Sequence, residues 1–125
     1  MQTRVLSSVV AVMALLFTSG LAASDVDHYS GKEAKNLEQA VTNLREYNQR
    51  LADLLAKDEL SNDDLAKVHR LSYTLENALG RIDEDLDTMA EDLEAVHLAS
   101  ERGETDTVRE RGGPFVENTR TLTGE

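Results

Sequence analysis

The sequence has no cysteine, no tryptophan, a single proline and only 4% aromatic residues. Without cysteine there are no disulfides, thiolate metal sites, covalent haem or thiol chemistry. The acceptor for lipid attachment behind an N-terminal apolar run is missing too. Basic residues are the minority: 13 Lys and Arg face 24 Asp and Glu, a formal charge of −11. Such a surface repels phosphate backbones and anionic headgroups, so nucleic-acid binding is not expected. It suits cations, basic partners or plain solvation. The glycine-rich loops and strands that frame most pockets are also lacking. No enzymatic activity, catalytic residue or cofactor is expected.

What is present begins with a leader. Arg4 is the only charged side chain before Asp25. Behind it the run VVAVMALLF (9–17) is wholly apolar, and Gly20, Leu21, Ala22 and Ala23 follow Thr18 and Ser19. A positive start, a short apolar centre and a small-residue exit make a secretory signal peptide over residues 1–22, cleaved after Ala22 or Ala23. The apolar run is shorter than the roughly 20 residues a membrane span needs, so no stable anchor is expected once it is removed. Loss of Arg4 takes the charge from −11 to −12. Residues 23–31 read as a flexible tail, and 32–125 as a single helical domain.

Apolar residues at Leu37, Ala40, Val41, Leu44, Tyr47, Leu51, Leu54 and Leu55 share one helical face, predicting a first helix over about 32–57. Ser61, with Asp64 three residues on, forms a capping box, and Leu60 can staple to Leu65. Leu65, Val68, Ser72, Leu75, Leu79, Ile82, Leu86, Met89, Leu93, Val96 and Ser100 then alternate in steps of three and four. This heptad pattern predicts one coiled-coil-like helix over about 62–102, roughly 60 Å long. Gly80 lies off the stripe; a break there would instead give a compact four-helix bundle. Gly103 suits the left-handed residue beyond a helix end. Thr105 is the expected cap of a last helix over about 105–122, with its stripe at Val108, Gly112, Phe115, Thr119 and Leu122. Gly113 and Pro114 predict a kink or split within it. The first and last helices together match the long one in length, and short connections make each antiparallel to it. The fold class is all-α, an antiparallel helical hairpin or bundle built on one long central helix.

The stretches HRLSYTLENAL (69–79), VHLASE (96–101) and YNQRLADLLAKDELS (47–61) resemble a family of small secreted helical proteins of unknown function from Gram-negative bacteria. The resemblance implies a periplasmic location and a helical fold, and carries no activity or ligand. More remotely, the leader and helical pattern are similar to periplasmic four-helix b-type cytochromes. Those take axial haem ligands from a Met in the first helix and a His in the last. Here the first helix has no Met and the segment after Gly103 has no His.

Glu94 and His97 have the Glu-x-x-His spacing of di-iron bundles, but the residues before His69 provide no second copy. They read as a surface pair, and His69 and His97 stand about 42 Å apart along one helix. The acidic run Asp83, Glu84, Asp85, Asp87, Glu91, Asp92 and Glu94 reads as a solvated face rather than a calcium loop. No metal site is expected, and Glu94, His97 and His69 are the weak candidates. Ser72 and Ser100 should bond back to the preceding turn. The leading functional expectation is a non-enzymatic periplasmic interaction or structural protein with an unidentified protein partner. The alternative is a small-ligand or metal carrier of the four-helix-bundle type. The two shorter helices are expected to cover the long one on its single heptad stripe; two layers leave apolar area open, and a homodimer with antiparallel long helices is the simplest closure. It would set acidic runs side by side, so salt should tighten it.

Overall fold

The computed structural model describes residues 29–125, so the expected leader and residues 23–28 of the expected tail lie outside the described residues. Three helices follow one another: α1 (Leu37–Leu55), α2 (Asn62–Arg102) and α3 (Thr105–Thr123), with no strand among the described residues. Both short helices pack on the long one. They meet each other where the first half of α1 reaches the end of α3, around Val41, Arg45, Arg120 and Gly124. No described helix is long and apolar enough to cross a membrane.

α2 starts and stops as its sequence dictates. The Ser61 hydroxyl accepts from the Asp64 amide, and the Asp64 carboxylate accepts from the Ser61 amide, completing the box. Gly103 closes the helix in the left-handed conformation, φ 71°, with its amide on the Ala99 and Ser100 carbonyls. Between them Gly80 causes no break. Nothing lies within 4 Å of where its side chain would be, so it merely forgoes packing on an open face.

α1 is shorter than its apolar face predicts. It begins at Leu37 rather than near Lys32, because the Asn36 side chain caps the Gln39 amide and commits the preceding backbone elsewhere. That backbone forms a strap across α2. The Lys32 amide donates to Thr74 Oγ1, and Asn77 Nδ2 donates to the Ser30 and Lys32 carbonyls. From α1, Asn43 Nδ2 donates to the Glu33 carbonyl. Gly31 lies so close that a Cβ would meet Thr74 N at 2.7 Å. Tyr29 to Gly31, the last residues of the expected tail, therefore lie against α2. At the other end α1 stops at Leu55, two residues early, as Ala56 and Lys57 turn towards the Ser61 cap.

α3 runs continuously from Thr105 to Thr123, and the expected split at Gly113 does not occur. Pro114 deprives the Glu110 carbonyl of its helical donor, but both residues are exposed and water can take its place. Thr105 is the first helical residue rather than the cap, and Glu104 at the cap position makes no side-chain bond. No residue of α3 is fully buried.

The largest departure concerns which face of α2 is buried. Of the eleven heptad positions, Met89 alone is fully buried. The seam facing α1 and α3 is instead Leu71, Thr74, Ala78, Met89, Asp92 and Ala99. Met89 apart, it runs beside the heptad positions, displaced from them by one residue. Small side chains at Thr74, Ala78 and Ala99 allow close approach there, and the buried polar groups find partners. Thr74 accepts from the strap, and Asp92 pairs with Arg111 of α3 at 2.9 Å. A row of leucines would have held the short helices farther off.

Candidate interaction face

One residue along a helix is a turn of about 100°, so displacing the seam by one position leaves the leucines on its shoulder. Leu79, Leu86 and Leu93, seven residues apart, remain 54%, 47% and 48% exposed. Leu65 continues the row towards the α1–α2 turn, where Leu55 is also exposed. Val68, Leu75, Ile82 and Val96 lie half-buried between row and seam, so the apolar surface is continuous. From Leu65 to Leu93 it extends about 42 Å and is about one helix wide. Burying a leucine is worth about 1.5–3 kcal/mol, so each half-exposed one leaves about 1 kcal/mol unrealised.

Charge is sorted around α2. Glu76, Asp83, Asp87 and Glu94 line the outer edge of the leucine row, all exposed and without an ion-pair partner among the described residues. The helical basic residues Lys67, Arg70, Arg81 and Arg102 point to the other side. Arg81 spends its guanidinium on Asp85 at 2.8 and 2.9 Å, and Lys67 reaches Asp63 at 2.6 Å. The outer edge therefore carries Asp and Glu but no Lys or Arg of α2, with His69 and His97 towards its ends and Arg109 of α3 beside Ser100.

The candidate ligands named from spacing are not brought together. His69 stacks edge-on with Tyr73, ring centroids 5.2 Å apart, near the start of α2. His97 pairs with Glu101, at 3.3 Å, rather than with Glu94. Glu94 is exposed on the acidic edge. No three His, Asp or Glu side chains among the described residues converge in a metal-holding arrangement. Within the acidic run, Asp85 and Asp92 are held by arginines, the exposed Glu84 lies 3.7 Å from Arg81, and the others face solvent unpaired among the described residues. Ser72 and Ser100 donate to the Val68 and His97 carbonyls at 2.8 and 2.7 Å, as their positions suggested.

A second feature escaped the sequence reading. Arg50, Lys57, Lys67 and Arg70 line a cleft with Asp53, Tyr29, Tyr47 and Leu71 at the α1–α2 elbow. Their spacing along the chain gives no signal, because Arg50 of α1, Lys57 of the turn, and Lys67 and Arg70 of α2 meet only through the antiparallel reversal. Most of this charge is already engaged: Arg50 with Glu46 and over the Tyr47 ring, Lys57 with Asp64, Lys67 with Asp63.

No curated protein and no solved structure matches the chain. The model of a family of unknown function (DUF6746) matches residues 1–124.

Proposed function

The chain belongs to this family of unknown function, and from that premise we propose that it is an exported, non-enzymatic interaction protein of the periplasm, working through the leucine shoulder of α2. The observation that carries the reading is the exposure of Leu79, Leu86 and Leu93 at heptad spacing on a helix whose seam is already filled. A row of that kind is the contact edge of a helical assembly. Export is supported by the leader-like segment, which lies inside the stretch matched by the family. A photo-crosslinking residue at position 86, introduced in the cell that makes the protein, tests it. Crosslinked species in the periplasmic fraction at position 86 and not at Arg70, on the opposite side, are expected. Protein confined to the cytoplasm, or equal crosslinking at both positions, refutes the reading.

The elbow cleft favours a second reading, a carrier of a small anionic ligand. Three of its four cations are already paired, which makes it the weaker of the two. A ligand copurifying in stoichiometric amount would reverse that order.

A further inference from the structure

The leucine shoulder has a length, a width and a charge, and together they specify an occupant. Its area is about 42 Å by 10 Å, the footprint of one helix lying alongside. That is near half of the roughly 800 Å² per partner that a stable protein dimer buries. The row presents Leu79, Leu86 and Leu93 as anchors for apolar side chains at heptad spacing. Beside them Glu76, Asp83, Asp87 and Glu94 offer carboxylates that no side chain among the described residues neutralises.

We infer that this face receives an amphipathic helix of a partner protein carrying lysine or arginine beside its apolar stripe. The inference rests on the interaction reading above and names the chemistry of the partner. Leucine anchors give the docked helix its depth, and the acidic edge selects its charge and speeds encounter. A second copy of this chain is the competing occupant, and it fits the charge poorly. Two antiparallel copies would set the same acidic edges face to face, with no Lys or Arg on that edge to meet them and only His69 opposite His97 at its ends.

The probe is a synthetic helical peptide long enough to span the row, with leucine at every seventh position and lysines alongside. Its counterpart has every lysine replaced by glutamate. Binding of each to the purified exported protein is followed by fluorescence anisotropy. The lysine peptide should bind about tenfold or more tightly than the glutamate peptide at low salt, with the advantage shrinking as salt rises. Leu86→Asp should abolish binding of both, and Asp83→Lys with Asp87→Lys should reverse the preference. Circular dichroism verifies that each variant stays helical. Equal affinity for the two peptides, or binding of neither, overturns the inference. So does a salt-tightened dimer in sedimentation equilibrium that excludes the lysine peptide. If position 86 still crosslinks in cells while the peptides fail, the choice of partner falls and the interaction reading stands.

Discussion

Asp64 shows how much one side chain can carry in a protein with so small a core. It completes the capping box of α2 and receives Lys57 Nζ at 2.6 Å. The hydrogen bond from Lys57, followed by those from Ser61, lowers its carboxyl from 3.8 to about 2 against the opposing effect of burial. A lowered folded-state value means stability that is fully present above about 3.8 and lost as pH falls through about 2. Asp64→Asn should therefore unfold more easily than the parent at pH 7, with the gap closing between about pH 4 and pH 2. Parallel thermal melts across that range check it, and a constant gap would contradict the assignment. Ser61→Ala removes the reciprocal half of the box and should cost about 1 kcal/mol in urea unfolding. Gly31 is a third such residue, at φ 72° with a Cβ blocked by the backbone of Tyr73 and Thr74. Gly31→Ala should release the strap, seen as faster amide exchange at Lys32 with α2 still protected.

At the scale of the element, α3 is the weak member. It has no fully buried residue, carries Pro114 in its interior, and lacks a side-chain cap at Glu104. Arg111 Nε is buried without a hydrogen-bond partner among the described residues, although the same guanidinium reaches Asp92. Amides of α3 should exchange much faster than those of α2 between Leu71 and Val96, and equal protection would show that packing outweighs these defects. Pro114→Ala restores a helical donor and should stabilise the protein by up to about 3 kcal/mol. The helices themselves were legible in the sequence because their signals are local: Ser61 with Asp64, Gly103, and long stretches free of proline. The start of α1 was not, because the Asn36 cap matters only once the strap is bound by Thr74 and Asn77. The seam was misread for a different reason. Periodicity weights large apolar residues, and the largest lie on the shoulder, while the seam is made of Ala78, Ala99, Thr74 and a paired Asp92. Small residues one position from a leucine row were the signal that pointed to it.

As a whole molecule, the protein is a long helix covered along one line by two short ones, with its most hydrophobic row left beside that line. The candidate face was half legible. Its leucines announced themselves by spacing, but their exposure follows from where α1 and α3 settle, which no local pattern records. Its acidic edge was visible as a run, and its place beside the leucines emerges only from helical geometry together with the observed seam. The proposed function requires those leucines to serve contact rather than core. The most direct test is urea unfolding of the chain with Leu79, Leu86 and Leu93 all changed to Gln, beside Leu71→Ala in the buried seam. Leu71→Ala alone should lose about 2–5 kcal/mol. The triple variant should stay folded and lose no more than about 3 kcal/mol in total, about 1 for each half-exposed side chain. A loss above about 6 kcal/mol, the sum for three core leucines, would contradict the account and return the row to the interior of the fold.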